Sequence, residues 1–164
     1  MNRQYFSIPL LFLILGLLIL GSAGCKDKSS GEDMGMTGDP TIDNLTEAIS
    51  KTPDDPSLYL QRSEIFYNHQ AYDQAIADLA KVMKLDSTNL RAHHLLADVY
   101  MDSYQSARAL QTMQRAAMLY PDSINTKLKL SEFQLILKQY DGALNTIADI
   151  MKISPGNPEG LFML

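Results

Sequence analysis

The chain has 164 residues, a net charge of −5, 46% hydrophobic and 8% aromatic residues, and no tryptophan. That size fits one domain with an appendage, and the acidic balance disfavours nucleic acid as a partner. A single cysteine excludes both an intrachain disulfide framework and a zinc cluster with several thiolates.

Residues 1–24 read as a targeting segment. Arg3 and the terminal amine precede an apolar run from Ile8 to Leu20, which ends in Gly21-Ser22-Ala23-Gly24 directly before Cys25. A positive start, an apolar stretch and small residues at its end form the pattern of a secretory signal. With the polar run Lys26-Asp27-Lys28-Ser29-Ser30 behind the cysteine, the segment resembles a bacterial lipoprotein signal of the looser kind common in Bacteroidetes. The resemblance implies cleavage before Cys25, a diacylglycerol thioether on its sulfur and a tether to a membrane, most naturally the outer membrane on its periplasmic or surface side. The alternative is an uncleaved anchor, since Ile8–Gly24 approaches the lower limit of a spanning helix, about 17–25 residues.

Residues 25–39 read as the cysteine that the resemblance implies is acylated and a linker rich in Gly, Ser and charge, with no apolar periodicity. Its r.m.s. reach is roughly 20 Å on Gly-rich chain statistics. Gly31, Gly35 and Gly38 have the wrong spacing for a dinucleotide fingerprint, and no strand pattern precedes them.

From Pro40 onward the chain repeats itself every 34 residues. Ala75, Ala109 and Ala143 hold this step, as do Leu45, Leu79, Met113 and Ile147, then Ala48, Val82, Ala116 and Ile150, and also Ser63, Ala97 and Ser131. Apolar residues at three- and four-residue spacing give each segment one helical stripe, and a fixed period of this length points to stacked helical hairpins. The predicted helices run near 41–51, 56–69, 72–85, 90–102, 106–119, 124–138 and 140–153. Small residues at Ser63 and Ala75 allow close helix approach, Pro-containing junctions end the second helix of each pair, and Ser87, Asp122 and Ser123 are candidate caps.

Tyr59–Asn89, His93–Ser123 and Lys127–Asn157 resemble tetratricopeptide repeats. The resemblance implies an all-α, right-handed solenoid over 40–157, made of a half repeat and three full ones. Residues 158–164 then begin a further repeat. Because the register runs on to Leu164, a longer protein is expected; otherwise the apolar tail Leu161-Phe162-Met163-Leu164 covers the last helix or docks on a partner.

In this family the first helix of each pair lines an inner, partner-binding surface. Carried over by position, that surface comprises Ser57, Leu60, Glu64, Tyr67 and Asn68, then Arg91, His94, Asp98, Met101 and Asp102, then Asn125, Leu128, Glu132, Leu135 and Ile136. Glu64, Asp98 and Glu132 stand 34 apart and make an acidic column. It either recruits a protein or peptide with basic and apolar side chains, or simply keeps the groove hydrated. The family's chaperone-tail clamp is not expected, because Leu60, Glu64, Leu95 and Asn125 occupy its Lys and Asn positions and only Lys129 is basic.

No catalytic motif emerges. His93 and His94 are adjacent and so diverge by about 100° on a helix. His69 stands near a helix end, and Asp54, Asp55 and Asp73 suit turn and cap roles. No cofactor or metal is implied. The function expected is a membrane-anchored, non-catalytic binding scaffold of the cell envelope, or else the docking module of a larger or multi-chain enzyme or regulator.

Overall fold

The computed structural model describes residues 38–163, so the expected leader, Cys25 and most of the linker lie outside the described residues. All the elements described are helices: α1 Pro40–Lys51, α2 Pro56–Asn68, α3 Tyr72–Leu85, α4 Leu90–Asp102, α5 Ser106–Leu119, α6 Ile124–Ile136, α7 Tyr140–Ile153 and α8 Pro158–Phe162. The helices α2 and α3, α4 and α5, and α6 and α7 pack as hairpins. Each second helix leans on the next first helix, α1 packs on α2, and α7 meets α8. This is an all-α solenoid.

The starts of α1 and of the first helices are written in short polar side chains. Asp39, Asp55, Asn89, Ser123 and Asn157 each cap with a side-chain oxygen that accepts a backbone N–H of the first turn, and Pro40, Pro56 and Pro158 follow three of these caps. Proline fits there because its fixed φ suits the first turn and its missing N–H has no helical partner to lose. Ser87 and Asp122 do not cap. Ser87 lies two residues ahead of Asn89, and the neighbouring Asp86 carboxylate instead accepts from the Thr88 N–H at 3.1 Å and Asn89 Nδ2 at 3.1 Å.

The hairpin turns share one closure. Gln70, Tyr104 and Lys138 adopt the left-handed conformation at φ 59°, 61° and 59°. In the first turn the Ala71 N–H donates to the Phe66 carbonyl at 2.8 Å and the Gln70 N–H to the Tyr67 carbonyl at 2.9 Å, and both bonds recur one and two repeats later. This is the Schellman closure, which glycine usually serves. It also ends α6 at Ile136, two residues short of the expected boundary.

The repeating columns are the core. Ala75, Ala109 and Ala143 have no measurable exposure, and neither do Ser63, Ala97 and Ser131 facing the same seam, nor Leu79, Met113 and Ile147. The buried Ser63 and Ser131 hydroxyls donate to carbonyls within their own helices, Leu60 at 2.7 Å and Leu128 at 2.8 Å, so a small polar residue costs the seam nothing. Each large apolar side chain so enclosed contributes about 1.5–3 kcal/mol.

At the amino end a charged cluster replaces apolar packing. Arg62, only 3% exposed, donates from Nε and Nη2 to the Asp78 carboxylate at 2.7 and 2.6 Å and from Nη1 to Thr46 Oγ1 at 2.8 Å. It thereby ties α1, α2 and α3 together between the rings of Tyr59 and Phe66.

Candidate functional site

Packing first helix beside first helix brings the expected groove residues of α2, α4 and α6 into adjoining rows, and polar bonds bridge those rows. Arg91 Nη2 lies 2.7 Å from Glu64 Oε1, Lys129 Nζ lies 2.6 Å from Asp98 Oδ2, and Tyr67 Oη donates to Asp102 Oδ2 at 2.7 Å. Burial, then the Asp102 carboxylate, hold the Tyr67 phenol well above its ordinary range. The Tyr67 ring also meets that of Tyr72 at 6.3 Å between centroids.

His94 is half-buried rather than free in solvent. Its Nε2 lies 3.0 Å from Thr126 Oγ1, and burial together with the Lys129 ammonium holds its pKa below 6.5. His69, at the end of α2, lies 3.8 Å from the Asp39 carboxylate. Among the described residues no group of three His, Cys, Asp or Glu side chains could hold a metal ion.

The acidic column is therefore uneven. Glu64 and Asp98 are each compensated by a cation from the next repeat, whereas Glu132 is exposed and forms no ion pair among the described residues. The reason is positional. Arg91, Asn125 and Glu159 occupy one repeat position, so the slot that gives Glu64 a cation gives Glu132 a second carboxylate. Glu132 and Glu159 line a cleft of about 550 Å³ between α6 and α8, with Asn125, Leu128, the Asp98-paired Lys129 and the 91%-exposed Phe162 beside them.

One expected groove residue sits elsewhere. Leu60 is 9% exposed and belongs to the amino-terminal core, because its side chain turns into the seam between α2 and its neighbours. Leu128 is just as buried but keeps an edge on the cleft. Met101 and Leu135 are partly buried, while Asn68, Arg91 and Asn125 are exposed. Glu64 and Asn68 line a second cleft, of about 490 Å³, with Thr41, Asn44 and Gln61 from α1 and α2. Glu159 and Phe162 were absent from the expected set. The 34-residue step from Asn125 and Leu128 reaches them, so the period itself carried the signal.

Residues 67–125 match the tetratricopeptide repeat family model. The chain is 28% identical over 102 residues to serine/threonine-protein phosphatase T of Aspergillus oryzae, covering 61% of this chain and 21% of that protein. It thus spans about a fifth of that relative's length. Among solved structures, it resembles the crystal structure of MamA, with a TM-score of 0.65, 20% identity, and 74% and 71% of the two chains covered. It also resembles the first tetratricopeptide domain of Spaghetti (RPAP3) bound to the HSP90 peptide SRMEEVD, with a TM-score of 0.57, 18% identity, and 65% and 85% covered. The segment 67–125 carries tetratricopeptide repeats, and the described helices have the tetratricopeptide solenoid fold.

Proposed function

We propose that this chain is a lipid-anchored binding scaffold of the bacterial cell envelope, tethered through acylated Cys25, and that it holds a protein or peptide with basic and apolar side chains on its first-helix face. The solenoid belongs to the class of scaffolds for protein–protein interaction, and the Spaghetti neighbour was solved with a peptide bound. The observation that carries the choice of partner is the pair Glu132 and Glu159. Both lack a cation partner among the described residues, and they share a cleft with exposed Phe162. A Lys or Arg side chain there meets two uncompensated carboxylates, while its apolar neighbour covers Phe162. An acidic tail such as that in the Spaghetti complex meets repulsion at the same place, and Lys129 is already engaged by Asp98.

Two measurements test this. A labelled peptide alternating Lys and Leu should bind the full chain and lose about tenfold in affinity with Glu132→Gln/Glu159→Gln; equal affinity overturns the groove assignment. Labelled fatty acid fed to expressing cells should enter the wild type and not Cys25→Ser, and an unlabelled wild type removes the lipid anchor. A second reading, in which the chain is the docking module of a larger envelope enzyme or regulator, draws support from the small share of the phosphatase that the match covers.

A further inference from the structure

The repeat generates three equivalent grooves on the second-helix side, each walled by two successive second helices and floored by the first helix between them. Their central positions correspond one for one: Thr46, Arg62 and Asp78; Ala80, Leu96 and Thr112; Gln114, Leu130 and Thr146. The first groove is shut by the buried Arg62–Asp78 pair. The third, of about 450 Å³, carries its own compensation, with Lys127 Nζ 4.0 Å from Asp149 Oδ2.

The middle groove differs from both. Between α3, α4 and α5 lies a cleft of about 690 Å³ whose walls carry Lys84, Arg108 and Arg115 and no carboxylate. None of the three forms an ion pair among the described residues, although the chain as a whole is acidic at −5. The replacements that open it are visible in register: Leu96 and Thr112 stand where the first groove has Arg62 and Asp78, and Arg115 stands where the third has Asp149. Met83, Leu96 and Tyr100 form an apolar floor, and the Arg108 guanidinium is steadied 5.6 Å over the Tyr100 ring.

His93 at the base of this cleft is 1% exposed. Its Nε2 lies 3.1 Å from the Ser87 carbonyl, the same pinning of the inter-repeat turn that Tyr59 Oη performs one repeat earlier on the Pro53 carbonyl at 3.0 Å. The turn therefore accounts for one ring nitrogen only. The other, Nδ1, is buried without a hydrogen-bond partner among the described residues, a state that native interiors rarely leave unmet.

We infer that the α3–α4–α5 cleft binds an acidic, extended segment of a partner protein, with Glu or Asp side chains on Lys84, Arg108 and Arg115 and an apolar side chain on the Met83–Leu96–Tyr100 floor. A charge-complementary peptide satisfies cations that the fold leaves unpaired, and a recessed apolar floor suits an inserted side chain rather than a flat lipid surface. This surface is separate from the first-helix groove, so either assignment can fail alone.

The test is fluorescence anisotropy of the full chain in detergent with a labelled peptide alternating Glu and Leu, against its Gln–Leu counterpart. Lys84→Glu/Arg115→Glu is compared with Lys138→Glu, which lies on an exposed turn, and thermal melts establish that all are folded. The Glu peptide should bind at least about tenfold tighter than the Gln peptide, and only Lys84→Glu/Arg115→Glu should abolish that preference. Equal binding of the two peptides, or a preference that survives the double reversal, overturns the inference. So does an Arg115-dependent gain in sedimentation with vesicles containing anionic lipid over neutral ones, which assigns the cleft to the membrane surface instead.

Discussion

The amino-terminal and middle grooves rest on the same backbone, turn closure and small-residue seams, yet hold opposite electrostatic arrangements. In the first, Arg62 and Asp78 satisfy each other out of water and the groove is filled. In the middle one, Leu96 and Thr112 take those two positions, and the cations move outward to Lys84, Arg108 and Arg115, where no carboxylate among the described residues pairs with them. A repeat array separates these tasks cleanly. The columns that join helices are held to small or matched apolar residues, while the groove positions are free to seal, to self-neutralise or to stay open.

The sharpest way to break the contrast is to unseal the first groove. Asp78→Ala leaves a guanidinium buried without its carboxylate and should cost about 3–5 kcal/mol in urea unfolding, whereas Arg62→Met/Asp78→Leu should stay close to wild type because a packed apolar pair replaces both charges. If the single and double variants lose stability equally, the pair is not what holds that groove shut.

Changes in the seams should act alike in every repeat. Ala75→Leu and Ala143→Leu each overpack a seam position with no measurable exposure and should lower stability by about 1–3 kcal/mol. Unchanged melting temperatures would mean that the hairpins have slack. On the turn between α4 and α5, Tyr104 is 96% exposed and held at a φ of 61°. Glycine relieves the left-handed penalty but adds freedom to the unfolded chain, so Tyr104→Gly should gain about 0.5–1 kcal/mol. A loss of stability would show that the tyrosine ring has a packing role.

The smallest effect belongs to the other face. Burial and the Lys129 ammonium lower the His94 pKa below 6.5, with Asp98 opposing and His93 adding a minor push downward. The unfolded chain therefore takes up a proton that the folded one resists. The stabilising contribution is complete above about pH 6.5 and is lost as pH falls through the lower, folded pKa. Comparing wild type with His94→Gln, the wild type should show the steeper drop in melting temperature on acidification below that point. Identical profiles would mean that His94 titrates as if unfolded.

The period made the helices legible, because a 34-residue step in Ala75, Ala109 and Ala143 fixes both seam and register at once. The caps were half legible: Ser123 was found, but Asn89 was passed over for Ser87, since only the turn geometry reveals which oxygen reaches the first-turn N–H. The left-handed turns were hidden because Gln70, Tyr104 and Lys138 carry none of the usual glycine signal. In the groove, the acidic column was visible as a pattern, while its neutralisation was not. Glu64 with Arg91 and Asp98 with Lys129 are 27 and 31 residues apart, steps that no single helix relates and that only the packing of neighbouring repeats brings into reach.

The most direct measurement is a titration of the Lys–Leu peptide into isotope-labelled full chain, followed by amide chemical shifts. Saturable shifts should gather at Asn125, Glu132, Glu159 and Phe162 and leave Lys84 and Arg115 unmoved. Shifts centred on the second-helix grooves, or none at saturating peptide, would contradict a scaffold that holds its basic partner where the acidic column loses its cations.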